Sequence, residues 1–332
     1  MRNHRCFFIC YLLLFILTGC TPRESAPAES TEEAILAELT FPEETQPPAE
    51  TFVTEAPTVP EPEAPAPMVP IAEPSGTAAI TCPDAVIDYS HAEEGYVMVR
   101  YTGSSDKRLK VLVKGPSTTY SYNLPKDTWN VFPLSDGNGN YQVGIYINVD
   151  LDRYAQVLST EFTAELTDEF APFLRPNQYV DYAASSRTVA LGLEITKGIQ
   201  APLEKVAAIY DYVVTHLTYD EQKARSVQSG YLPVLDEVMA RGTGICFDYA
   251  AVMTAMLRSQ GIPCKLVVGY AGSVYHAWIS VWTEESGWID RAIFFDGHVW
   301  HRMDPTFASS ADRSDDIMKF IQNGTYTTKY LY

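Results

Sequence analysis

The sequence has 332 residues, 46% of them hydrophobic, with 24 basic against 42 acidic side chains and a formal charge of −18. At roughly 150 residues per domain, the length allows about two folded domains. The charge argues against a nucleic-acid binder, which needs clustered Lys and Arg, and six cysteines are too few for a disulfide scaffold.

Arg2 and Arg5 precede an apolar run from Cys6 to Leu17. A spanning helix needs about 20 apolar residues, so this shorter run fits the core of a signal peptide. The run ends in Leu17-Thr-Gly-Cys20, which resembles the lipobox of bacterial lipoproteins. That resemblance implies removal of residues 1–19, lipidation of Cys20, and a place on the extracellular face of a bacterial cell membrane. Residues 20–78 follow as an expected tether. From residue 21 they hold twelve prolines, twelve glutamates and the single basic Arg23. Such a segment cannot bury enough apolar surface to offset chain entropy, so it reads as a disordered, semi-rigid spacer.

Seven short β-type runs occupy 79–168: Ala85–Tyr89, Tyr96–Tyr101, Leu109–Lys114, Thr118–Asn123, Trp129–Phe132, Tyr141–Asn148 and Tyr154–Leu166. Short strands separated by Gly, Pro, Asn and Asp clusters predict a small antiparallel, Ig-like β-sandwich. Asp136-Gly-Asn-Gly-Asn140 opens like a calcium loop, but Tyr141 stands at the required glycine and Ile147 at the closing glutamate. A hairpin turn is the expectation there. This module offers no nucleophile or ligand cluster and reads as a spacer or docking unit.

Residues 169–332 have a different texture. Helical spacing predicts helices over Ser186–Thr196, Pro202–Leu217, Asp236–Ala240 and Phe247–Gln260. Period-two runs follow at Lys265–Tyr270, His276–Trp282, Ala292–Phe295 and Val299–Met303, with Asp296-Gly297 as a two-residue hairpin signal. Helices followed by an antiparallel meander define an α+β domain.

Cys246 is expected at a helix start, where free amide N–H groups favour the thiolate. His276 opens a strand and Asp304 ends another, so a nucleophile, a base and an orienting carboxylate are available in that chain order. These residues lie in Gly244-Ile-Cys246-Phe-Asp-Tyr249-Ala, Gly261-Ile-Pro263 leading to Val268-Gly-Tyr270, His276-Ala-Trp278 and Trp300-His-Arg-Met-Asp304-Pro-Thr306. Together, over roughly residues 177–308, they resemble the transglutaminase-like superfamily core. The resemblance implies a papain-like Cys-His-Asp fold, with helices packed on an antiparallel sheet and the catalytic roles on Cys246, His276 and Asp304. The Cys246 N–H is the expected oxyanion donor, with Tyr219, Tyr249, Tyr270 and Trp278 as further oxyanion or cleft candidates; Tyr249 is equally a packing residue. A long His276-to-Asp304 stretch departs from the pattern, enlarged by Glu284–Trp288.

Neither the cysteines nor the histidines have zinc-ligand spacing, so no metal and no cofactor is expected. Cys264 reads as a core thiol, with a bridge to Cys82 left open. The expected function is thiol acyl transfer on peptide or protein amides, by hydrolysis or cross-linking. The alternative is a non-catalytic surface or cell-wall binding protein on the same scaffold. A surface or wall protein is the expected partner, no nucleic acid is expected, and a lone tether suggests a monomer.

Overall fold

Alternation of apolar and polar residues builds the first half of the body. The computed structural model describes residues 66–290, 293–295, 300–302 and 326–332; Cys20, Asp304, the leader and most of the spacer lie outside these. Eight strands come first: β1 (Ala79–Cys82), β2 (Ala85–Asp88), β3 (Tyr96–Tyr101), β4 (Leu109–Lys114), β5 (Thr119–Asn123), β6 (Asn130–Pro133), β7 (Gly139–Asp150) and β8 (Arg153–Ala164). They form two four-stranded antiparallel sheets, in the orders β1-β2-β3-β6 and β5-β4-β7-β8. In β4, Leu109, Val111 and Val113 are buried while Lys110, Leu112 and Lys114 are not, the period of a strand with one inward face. The expected hairpin at Asp136–Asn140 is instead a crossover, because β6 pairs with β3 in one sheet and β7 with β4 and β8 in the other. The Asp136 carboxylate is engaged there by the N–H groups of Ser117 and Thr118 and the Ser117 hydroxyl, which bind the turn between β4 and β5 to the crossover.

The end of the expected spacer runs along the body. The Met68 N–H donates to the Ser259 carbonyl (2.7 Å), Val69 packs on the core, and the Gly76 N–H donates to Asp88 (2.7 Å).

The second half brings α1 (Arg187–Ile195), α2 (Pro202–His216), β9 (Thr218–Tyr219), α3 (Glu221–Ser226), α4 (Leu235–Arg241), β10 (Thr243–Gly244) and α5 (Cys246–Arg258). Pro202 starts α2, where its missing N–H is no loss. Gly242, in the left-handed region at φ 66°, stops α4. From Asp248 to Arg258 every residue of α5 is buried, the mark of a central helix. Ala250, Ala251 and Ala255 keep it slim, and Gly192 of α1 approaches so closely that a Cβ there would stand 3.0 Å from Met256.

Against α5 lies a second antiparallel layer: β11 (Cys264–Ala271), β12 (Val274–Thr283), β13 (Gly287–Asp290) and, after the two-stranded β14 (Ile293–Phe295) and β15 (Trp300–Arg302), β16 (Tyr326–Leu331). Its order is β13-β12-β11-β16. Phe295 pairs with Trp300 across these two strands, and the expected Asp296-Gly297 turn lies outside the described residues. The Glu284–Trp288 enlargement forms the turn into edge strand β13. There Trp288 meets Phe170 at a tilt (5.9 Å) and Phe173 edge-on (5.6 Å), and lies under the Lys265 ammonium (3.5 Å).

A single buried apolar cluster runs from the first sheets into the α5 layer. Gln178 bonds the backbone of Asn123 twice (2.8 and 2.7 Å), the Tyr179 hydroxyl donates to the Ser121 carbonyl (2.9 Å), and Tyr120 and Tyr122 pack edge-on against Tyr332. The β-rich half is thus built into the α5 layer.

Candidate active site

Three local features place Cys246. The parallel pairing of β9 with β10, through Thr218 N–H to Gly242 O and Asp220 N–H to Gly244 O (both 2.9 Å), delivers the chain to the start of α5. Gly244 then passes Asp248 so closely that a Cβ would stand 2.7 Å from the Asp248 Cβ. Ile245 is extended (φ −101°, ψ 175°), and Cys246 is the first helical residue. Its thiol therefore sits at the positive end of a thirteen-residue helix.

Asp248, in the same first turn, is fully buried and accepts the Ile245 N–H (2.8 Å), capping the helix. It also accepts the Lys223 ammonium (2.6 Å) and the Tyr231 hydroxyl (2.5 Å). Lys223 and Tyr231 went unnoticed in the sequence, because nothing in an isolated pattern links residues 25 and 17 positions apart from Asp248. The short helix α3 that carries Lys223 was also unmarked; its one signal is Asp220, which caps it by accepting the Lys223 N–H (2.8 Å).

His276 lies near the start of β12, is buried, and pairs with Gly269. Strand alternation sets Tyr275, Ala277, Ile279 and Val281 on one sheet face and His276, Trp278 and Ser280 on the other. Ala277, Ile279 and Val281 join the α5 cluster, so His276 and Trp278 occupy the face turned from α5. Their rings stack at 6.3 Å, and Trp278 meets Tyr326 edge-on at 5.2 Å. Tyr275, beside His276 on β12, shares an electrostatic contact with Cys246. Burial raises its phenol above the ordinary value, and the charges of Tyr330, Tyr270, Tyr179 and lastly the Cys246 thiolate add to the rise.

Tyr270 faces Tyr275 across the hairpin (5.4 Å), and both are exposed beside Val274. Tyr219, on β9, is held by backbone pairing next to Gly244. Tyr249 is fully buried, and its hydroxyl donates to the Leu217 carbonyl (2.7 Å), tying α5 to the end of α2; packing is its visible work. Next to Cys246 in the chain, Phe247 meets Tyr179 at a tilt (5.9 Å), and the Tyr179 ring lies 4.0 Å from that of Tyr332.

The three cysteines among the described residues are free, so no bridge joins Cys82 to Cys264. Burial pushes the Cys264 thiol up to about 11, and it lies 3.5 Å from the Thr254 hydroxyl. Cys264 is therefore expected to resist iodoacetamide at pH 8 in the folded chain and to react only on unfolding. Mass spectrometry of each cysteine checks this, and native labelling of Cys264 as fast as that of half-exposed Cys82 would contradict it.

Residues 189–291 match the transglutaminase-like superfamily, and the chain carries a domain of that class, spanning α1 to the end of β13. Among curated relatives, an uncharacterized protein, YebA, of Bacillus subtilis is 24% identical over 52% of this chain and 26% of its own length. A protein-glutamine gamma-glutamyltransferase of Pseudomonas aeruginosa is 29% identical over 21% of this chain and 11% of its own length. The chain thus spans about a quarter or less of these relatives. The crystal structure of red sea bream transglutaminase aligns with a TM-score of 0.29 at 11% identity, covering 70% of this chain and 56% of that one.

Proposed function

We propose that the chain is a lipid-anchored thiol acyl-transfer enzyme, held by Cys20 on the outer face of a bacterial membrane and acting on peptide or protein amides. Residues 20–78 serve as the spacer, 79–168 as a β-sandwich module, and 169–332 as the catalytic domain. The Cys246 thiolate adds to the amide carbonyl, His276 having taken its proton, and Asp304 fixes the imidazole tautomer. His276 returns the proton to the amine as the C–N bond breaks, leaving a thioester. Water then gives a carboxylate, or a lysine-type amine gives an isopeptide bond. Ubiquitous water favours hydrolysis, and the name of the Pseudomonas relative keeps transfer beside it.

The observation that carries this reading is Cys246 as the first residue of α5, packed against the strand that holds His276. A binding scaffold without turnover is the second reading, favoured by the alternation that sets His276 on the face away from α5.

Iodoacetamide labelling of the full chain from pH 4 to 9, read per cysteine, decides between them. The enzyme reading expects Cys246 to react fast well below pH 8 and to lose that rate in His276→Ala. Labelling of Cys246 only near the ordinary thiol value of about 8.5, unchanged in His276→Ala, overturns it in favour of the scaffold.

A further inference from the structure

The network under the first turn of α5 is more than a helix cap requires. Capping the Ile245 N–H needs one acceptor, which a neutral Asn or Ser side chain supplies. Here the acceptor is a carboxylate with no exposure at all, and burying such a charge is costly unless it is paired and fully hydrogen-bonded. Asp248 meets both conditions through three donors from three places: the Ile245 N–H, Lys223 of α3, and Tyr231 in the loop between α3 and α4. Lys223 closes the ring by donating to the Tyr231 hydroxyl (2.7 Å) while its ammonium stands 4.2 Å from the Tyr231 ring centre. Tyr231 in turn meets Phe247 edge-on at 6.3 Å, so the ring of contacts closes on both residues that follow Cys246.

A lone carboxylate in this turn would oppose a thiolate on Cys246 and cancel the helix-end field that favours it. An ammonium 2.6 Å from that carboxylate removes the opposition while leaving the cap in place. We propose that Lys223 and Asp248 are positioning residues for Cys246, with Asp248 fixing the helix turn and Lys223 balancing the carboxylate's charge, the Tyr231 hydroxyl serving as their neutral hydrogen-bond partner. The inference rests on the reading of Cys246 as a nucleophile.

The test is the pH dependence of Cys246 alkylation by iodoacetamide in the full chain, compared among Lys223→Met, Asp248→Asn, Tyr231→Phe and the double variant Lys223→Met/Asp248→Asn. Among the described residues, Tyr275 on β12, Tyr270 on β11, Tyr330 on β16 and Tyr179 share one field with Cys246, and Glu237 and Arg241 of α4 face Tyr231; these, and the proposed base His276, stay constant across the set. Lys223→Met strands the carboxylate and is expected to raise the midpoint by about half a pH unit or more, a roughly threefold loss of rate on the rising limb. Asp248→Asn leaves the ammonium alone and is expected to lower the midpoint by a similar amount. The double variant returns toward the starting value, and Tyr231→Phe, which changes no charge, leaves the midpoint in place.

A merely structural network would lower the melting temperature without shifts of opposite sign. Equal or same-direction shifts in folded single variants overturn the proposal. Should Asp248→Asn fail to fold, the sign of the Lys223→Met shift decides alone. The midpoint of the unmodified chain reports separately on nucleophile activation, so failure of the enzyme reading and failure of this one are told apart.

Discussion

Replacing Arg258 with methionine is expected to lower the stability of the folded chain by about 3–5 kcal/mol. Arg258 is fully buried at the end of α5, and its guanidinium is spread over three main-chain oxygens. Nε donates to Cys264 O (2.8 Å), Nη1 to Arg175 O (2.7 Å) and Nη2 to Tyr332 O (2.6 Å). One side chain thus joins α5, the start of β11, the segment before α1 and the end of β16. Methionine fills much of the volume but takes this donor from the Cys264 and Arg175 carbonyls, while Tyr332 O keeps the Leu266 N–H (2.9 Å), and each buried acceptor left unpaired costs about 1–3 kcal/mol. Lysine, with a point charge in place of the planar fork, is expected to recover only part of the loss. Urea unfolding followed by tryptophan fluorescence measures the effect; a drop below about 1 kcal/mol would show the carbonyls to be satisfied without the guanidinium.

Gly269→Ala is expected to have the second-largest effect, detaching β16 and costing about 2–4 kcal/mol. A Cβ at Gly269 would stand 2.0 Å from the Thr327 carbonyl oxygen and 2.9 Å from Cη2 of Trp278, and the pairing of β11 with β16 already shifts register between Val268 and Gly269. Backbone cannot yield as the tip of a side chain can, so the strand must move. Hydrogen exchange should rise across Tyr326–Tyr332 while α5 stays protected. The loosening reaches the site through Tyr332, whose ring leans on Tyr179 and so on Phe247 beside Cys246. Unchanged protection of β16 would contradict the clash.

Local patterns carried much of the secondary structure. Helix α2 begins at the proline that marked it, and β3 and β4 fall on the short β-type runs that predicted them. Strands β1 and β16 went unmarked because one is four residues long and the other is largely polar, and neither has a period strong enough to stand out. The 136–140 segment shows the limit of turn chemistry: Gly and Asn specify a reversal of the chain, not which sheet the next strand joins. For the same reason β13 was legible only as an insertion, since its place is set by Trp288 meeting Phe170, Phe173 and Lys265.

By itself the sequence determined the class of the domain and the placing of Cys246 at a helix start, because both reside in a contiguous motif whose glycines and first-turn residues act on their neighbours. Only the tertiary structure decided that Asp248 caps that helix while paired with Lys223 and Tyr231, that Arg258 binds three segments through their carbonyls, and that the β-rich half shares a core with α5. Apart from the cap and the Arg258–Cys264 bond, those polar contacts join residues 17 to 83 positions apart, and burial, which makes an unpaired charge or carbonyl costly, selects them only once the chain has closed around them.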